Sequence, residues 1–226
     1  MSNDVEQKID ELLYDLKHKS EYKFPHIHGD CNLTHFGYCF KHVKVDGLWA
    51  EFGVYEGKTI STIASCNPDK TIYGFDSFEG LPEVWDPDNP KGSYSLDGKI
   101  PSKIHRGPNV IHGDVYQDWN SNIILIKGLF GDTLPGFVEE HSENVAFMHI
   151  DSDLYSSCKA ILQIFKDRIV SGTVICFDDW CGYPTNTNRD HEIKAFAEFL
   201  LETGLNCNPI SHQTDSRYSQ AGYEIC

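Results

Sequence analysis

From residue 47 onward the chain alternates short apolar segments with amphipathic ones, and this alternation constrains the fold more than any other feature. "GLWAEFG" ends near Gly53, "KTIYGFD" at Asp76, "NIILIKG" at Gly128, "VAFMHID" at Asp151 and "TVICFDD" at Asp178 and Asp179. These read as strands. Between them, "KTISTIAS", "SSCKAILQIFKDRIV" and "RDHEIKAFAEFLLET" place apolar residues three and four apart, as helices do. Gly172 and Gly204 stand where the last two helices should stop, in the position that favours a left-handed residue. Strands alternating with helices predict an α/β sandwich around a mostly parallel sheet. Two further strands are expected near Asn206–His212 and Tyr218–Ile225.

The flanking regions read differently. Residues 4–18 predict an amphipathic helix with Val5, Ile9, Leu12, Leu13 and Leu16 on one stripe, able to pack on its own domain or on a second copy of the chain. Residues 20–45 predict an irregular arm with one short helix, so that 1–45 form an N-terminal helix and arm. Residues 82–121 hold Pro82, Pro87, Pro90, Pro101 and Pro108 and break the rhythm. A long irregular stretch inside a compact domain is commonly a functional lid or disordered. The whole chain, 1–226, is expected to form one domain.

Composition narrows the partners. A net charge of −15 disfavours nucleic acid and anionic membranes, which would be repelled. No apolar run reaches the ~18 residues of a membrane span. The N-terminus lacks the apolar core of a signal peptide, so a cytoplasmic protein is expected. No two of the eight cysteines form a CxxC pair, which argues against a zinc knuckle or a thioredoxin motif. Most are expected to be free thiols.

In an open parallel sheet, ligands bind beyond the carboxyl ends of the strands. Asp151, Asp153, Asp178 and Asp179 all fall at such ends. If the two strands are neighbours, these carboxylates crowd together, and they must take up protons or hold a cation. Oxygen ligands favour Mg²⁺, Mn²⁺ or Ca²⁺. The bland alternative is helix capping, with Asp153 serving a helix that begins near Ser156. In "EFGVYEGKTI", Glu51, Gly53 and Gly57 follow a strand and open a helix, where glycine lets a ligand approach the backbone. The acid would reject a pyrophosphate and suit a cationic ligand such as S-adenosylmethionine. Asp76, after the next strand, is placed to take a ribose hydroxyl pair.

The order "EFGVYEG", "GFDSFEGLPE", "KGLFGDTLP", "HIDSDLYSS", "FDDW" resembles the class I S-adenosylmethionine-dependent methyltransferases, and more closely the macrocin O-methyltransferase family, which methylates sugar hydroxyls on antibiotics. The motifs span about residues 49–200. The resemblance implies a Rossmann-like, mostly parallel seven-stranded sheet with an antiparallel last strand. It implies S-adenosylmethionine held by Glu51, Gly53, Tyr55, Gly57 and Thr59, with Asp76, Ser77 and Phe78 at the ribose and adenine and Phe130 on the adenine's other side. It implies Mg²⁺ or Mn²⁺ on Asp151, Asp178 and Asp179, and Asp153 as general base. The expected acceptor is a small-molecule hydroxyl, in a sugar or glycosylated metabolite.

Two features depart from the family. "GPNVIHGDVYQDWNSN" is a poor helix former where a helix is usual, and the lid has its own character. Trp85, Tyr94, His105 and Arg106 of the lid are candidates to touch the acceptor, as are Arg189 and His191. Three other readings stay open. Asp151-Ser152-Asp153 is formally the DxD motif of a metal-dependent glycosyltransferase. A non-catalytic protein on a methyltransferase scaffold is the second. A nicotinamide dehydrogenase is the weakest, for want of GxGxxG.

Overall fold

The computed structural model describes residues 3–21, 31–109, 113–180, 191–214 and 219–226. Its centre is a seven-stranded sheet. β1 (Leu48–Phe52), β2 (Ile72–Asp76), β5 (Ile123–Lys127), β6 (Val145–Ile150) and β7 (Val174–Phe177) run parallel. β8 (Cys207–Thr214) and β9 (Ser219–Ile225) complete it, and β9 is antiparallel to both its neighbours, β7 and β8. The order β5-β2-β1-β6-β7-β9-β8 reverses direction between β1 and β6. That reversal opens a crevice at the carboxyl ends of these two strands, the position where doubly wound sheets bind ligands.

Both faces are covered, and for that reason the central strands are mostly apolar on both sides rather than alternating, with Glu51 in β1 and His149 in β6 as exceptions. On one face Leu48, Ala50, Phe52, Ile150, Ile175, Phe177 and Tyr223 meet α1 (Asn3–Glu21), α4 (Phe130–Glu140), α5 (Tyr155–Phe165) and α6 (Glu192–Thr203). On the other, Trp49, Phe147, Val174 and Cys176 meet α2 (Cys31–Phe40) and α3 (Lys58–Cys66). α1 buries Ile9, Leu13 and Leu16 and packs on α6 of its own chain. Among the described residues no helix is long and apolar enough to cross a membrane, and the six cysteines whose side chains are described, Cys39, Cys66, Cys158, Cys176, Cys207 and Cys226, are free thiols.

Several elements differ from expectation. α5 ends at Phe165 rather than near Val170. There the backbone turns out of the helix, and the Arg168 carbonyl accepts the Val145 N–H at 2.8 Å. Gly172 consequently serves the turn into β7, at φ 93°, instead of capping the helix. Gly204 does end α6, at φ 71°, with its N–H on the Leu200 carbonyl. α4 was not expected, since Gly131, Pro135 and Gly136 are poor helix formers; burial of Leu134 and Phe137 outweighs them. The irregular segment 82–121 contains a hairpin, β3 (Ile104–Asn109) with β4 (Gly113–Gln117). The second strand occupies the stretch whose sequence disfavoured a helix.

In the aromatic core on the α5 face, Phe165 is fully buried with its ring 5.5 Å from that of Phe52. Phe165→Ala should cost about 3–5 kcal/mol. Urea denaturation checks this; a midpoint unchanged from the parent would show that the packing carries little stability.

Candidate active site

β1 and β6 end side by side. The Asp151 N–H donates to the Phe52 carbonyl at 2.9 Å, and the Asp178 N–H to the Ile150 carbonyl at 2.9 Å. The ladder therefore continues past the strands and fixes both aspartate segments. Gly53 has φ 92°, and a Cβ there would collide with the Asp151 carbonyl oxygen. Glycine is required by the close approach of two backbones. Gly57 also has positive φ, 80°, and a Cβ there would strike the Trp119 ring.

Asp76 organises the loop after β1. Its Oδ2 accepts the N–H groups of Val54 and Tyr55 at 2.8 and 2.7 Å, and its Oδ1 accepts that of Phe78 at 2.7 Å. A pocket of about 470 Å³ lies beyond these strand ends. Gly53, Tyr55, Asp76, Ser77 and Phe130 line one part of it; Asp151, Asp153, Asp178 and Asp179 line another. Trp85 and Tyr94 close it from the lid. Tyr94 stands edge-on to Tyr55 at 5.9 Å. Burial and the nearby charge of Asp153 push its hydroxyl up to about 12. Among the described residues no lysine or arginine lines the pocket.

Asp151, Asp153 and Asp179 each offer a carboxylate oxygen within 4.8 Å of the others. Burial and the charge of Asp178 push Asp151 well above the usual carboxylate range. Burial and the charge of Asp153 do the same to Asp179. Asp153 is pushed to about 6 by burial, against a hydrogen bond with Asp179. Acids held in this way suit a hard cation, and all-oxygen donors are the right chemistry for one. Asp153 sits at φ 59°, a left-handed conformation that aspartate tolerates better than most residues.

Asp178 faces a different set of partners. Gln220 donates to its Oδ1 from β9, and His149 Nε2 lies 3.5 Å from the same atom. His149 Nδ1 is 3.1 Å from Glu51 Oε2, and Thr59 donates to Glu51 Oε1 at 3.0 Å. Burial would make His149 neutral, but hydrogen bonds to Asp178 and Glu51 hold its pKa well above the ordinary value. Burial likewise opposes ionisation of Asp178, yet His149 brings it below the usual range. A charged imidazole thus bridges two acids inside the protein.

The expected residues divide accordingly. Glu51, Gly57, Thr59 and Phe78 do not reach the pocket wall: Glu51 is fully buried on His149 and Thr59, and Phe78 is buried in the core beside α3. His191 accepts the Tyr155 N–H at 3.2 Å and packs near Trp85. The side chains of His105 and Arg106, and all of Arg189, lie outside the described residues. Sequence reasoning missed His149, Gln220 and Glu192. Glu192 Oε1 accepts the Ser152 N–H at 3.1 Å and its Oε2 the Asp179 N–H at 3.2 Å, tying the two aspartate segments together. Burial pushes it to about 8. An acid buried in the first turn of a helix is the only sequence signal it carried.

Removing the Asp76 carboxylate strands the N–H groups of Val54 and Tyr55. Asp76→Ala should cost about 1.5–3 kcal/mol and speed hydrogen exchange at those two amides. Unchanged exchange there would mean that the loop holds its shape without Asp76.

The macrocin-O-methyltransferase family model matches residues 25–199, well over half of the chain. No curated protein matches the sequence. The fold is similar to that of CalS11, a calicheamicin methyltransferase, at 19% identity and TM-score 0.63, covering 99% of this chain and 93% of that one. It is similar to the O-methyltransferase NovP at 20% identity and TM-score 0.60, covering 87% and 80%. It is also similar to an O-methyltransferase from Bacillus cereus, at 13% identity and TM-score 0.52, covering 97% and 91%. With the reversed strand order and a pocket at the carboxyl ends of β1 and β6 already in place, the match along the chain decides the assignment: this protein belongs to the macrocin O-methyltransferase family and is an O-methyltransferase.

Proposed function

We propose that the enzyme transfers a methyl group from S-adenosylmethionine to a hydroxyl of a sugar or glycosylated metabolite, with a divalent cation, Mg²⁺ or Mn²⁺, held by the aspartates. The observation that carries this reading is the convergence of Asp151, Asp153 and Asp179 in the pocket at the strand ends. The family supports the reaction type. The B. cereus neighbour holds S-adenosylhomocysteine, and CalS11 is described as a TDP-rhamnose 3'-O-methyltransferase; both are consistent with cofactor and acceptor.

Gly53, Tyr55, Asp76, Ser77 and Phe130 line the part of the pocket that would receive the cofactor. Asp151, Asp178 and Asp179 are the proposed cation ligands, Asp178 through the carboxylate oxygen that Gln220 and His149 do not hold. When bound, S-adenosylmethionine supplies an electrophilic methyl group, and the cation supplies Lewis acidity that makes a hydroxyl easier to deprotonate. Asp153 takes that proton as general base. Burial raises its affinity for a proton above that of an ordinary carboxylate, the direction a general base needs. Trp85 and Tyr94 line the pocket from the lid side. His149 and Gln220 hold Asp178 in place from behind.

Asp153→Asn keeps a residue that tolerates left-handed backbone and removes only the base. It should bind S-adenosylhomocysteine as the parent does and lose about 10²–10⁴-fold in kcat. Calorimetric titration with S-adenosylhomocysteine, with and without Mg²⁺, tests the cofactor reading directly: micromolar binding supports it, and no binding in either condition overturns it.

The crowded acids also predict a pH dependence. Asp151, Asp153, Asp179 and Glu192 bind protons more tightly folded than unfolded. Their contribution is therefore greatest at low pH and is lost as pH rises from about 4, the unfolded carboxylate value, through the folded values. The raised His149 acts in the same direction. The lowered Asp178 contributes above about 4 and stays constant beyond it. Without divalent cations, Tm should fall from pH 5 to pH 8, and Mg²⁺ should restore more of it at pH 8 than at pH 5. Parallel Tm curves with and without Mg²⁺ would remove the cation from the site.

A further inference from the structure

One polar rung crosses the sheet. Glu51, His149, Cys176 and Gly222 are successive register partners across β1, β6, β7 and β9, and Ser211 of β8 is paired with Gly222. Glu51 and His149 belong to the active site. The far end of the rung lies under α2 and is not used by the methyl transfer. There His35 and Cys39, four residues apart and so on one side of α2, come down beside Cys176. A ring nitrogen of His35 and the sulfurs of Cys39 and Cys176 all lie within 4.8 Å of one another. His35 is 1% exposed and both cysteines 0%, so the cluster is sealed from water.

One feature points to a ligand. The His35 Nε2 is buried without a hydrogen-bond partner. Such atoms are rare in folded proteins and call for an explanation. In addition, the sulfurs have space because position 222 is glycine: a Cβ there would stand 2.5 Å from Cys39 Sγ and 3.7 Å from Cys176 Sγ. Ser211 Oγ lies 2.5 Å from His35 Nδ1 and holds the ring, as a partner on the second nitrogen does for a metal-bound histidine.

We propose that His35, Cys39 and Cys176 form a buried zinc site that staples α2 to β7. Sulfur with imidazole is a zinc donor set, unlike the oxygen donors of the aspartate cluster. Charge selects a divalent ion. Each thiol loses its proton to solvent as the metal enters, and two thiolates with Zn²⁺ make a neutral unit that an apolar core can hold. Cu⁺ in the same place would leave a buried negative charge. These three side chains are the protein donors, and Ser211 Oγ, 4.0 Å from Cys39 Sγ, stays on the His35 ring. No electron is transferred, and because the site is sealed the ion is taken up as the chain folds.

The test uses the full-length protein produced with cobalt in place of zinc. Thiolate-bound Co²⁺ shows a sulfur-to-metal charge-transfer band in the near ultraviolet, whereas Co²⁺ on the aspartates shows none. The expected result is that band, with about one metal per chain retained through gel filtration against EDTA. Cys39→Ala and Cys176→Ala should each abolish it, and Asp179→Asn should leave it intact. A measurement on the zinc-loaded parent guards against misfolded variants: titration with an organomercurial should release zinc in step with thiol loss. Absence of both metal and band, a band that survives both cysteine variants, or a Cys39–Cys176 disulfide found in place of metal would each overturn the site.

Discussion

The site depends on how closely the ends of β1 and β6 approach. The Asp151 N–H reaches the Phe52 carbonyl at 2.9 Å, and Gly53 leaves no room for a Cβ against the Asp151 carbonyl. Because the sheet reverses direction at this pair, the chain leaves β1 and β6 toward opposite sides. The gap between them becomes the floor of the pocket. Any side chain at position 53 would push the aspartate segment away from the loop after β1, so one backbone contact sets the distance between the two halves of the site.

Around this contact the protein concentrates negative charge in a place with little water. Asp151, Asp153, Asp179 and Glu192 all have raised pKa values, and burial is the largest cause in each. A low dielectric strengthens their mutual repulsion and their attraction for a cation alike. The protein offsets the neighbouring charge of Asp178 internally. His149 lies between Glu51 and Asp178 and keeps Asp178 ionised. The acid of the glycine loop is thereby joined to the second aspartate pair through a single imidazole. Glu51 acts on the site from behind the wall, not from its surface.

The same rung explains why α2 lies where it does. Phe36 stacks edge-on against His149 at 4.9 Å, and His35 and Cys39 reach Cys176 and Ser211 farther along. A helix that covers so many polar groups in the core must supply their partners or leave them unsatisfied, which is costly. The arm before β1 is therefore part of the sheet's polar chemistry as well as its apolar cover.

Most of the architecture was legible in the chain order. Strands end in acids or glycine, helices follow with a three-to-four spacing, and such units can only wind into a parallel sheet with ligands at the carboxyl ends. That reasoning located Asp76, Asp151, Asp153, Asp178 and Asp179, because residues that follow a strand directly have positions determined by local geometry. It could not locate the helix over residues 130–140, where buried Leu134 and Phe137 override a proline and two glycines. It could not separate Asp178 from its neighbour Asp179, since one turns to His149 and Gln220 and the other to Asp151 and Asp153. Nor could it join His35 and Cys39 to Cys176, more than a hundred residues away. Sequence alone determined what each strand carries at its end. Only the tertiary structure decided which side chains share a rung, because register across a sheet is set by packing between segments that are distant along the chain.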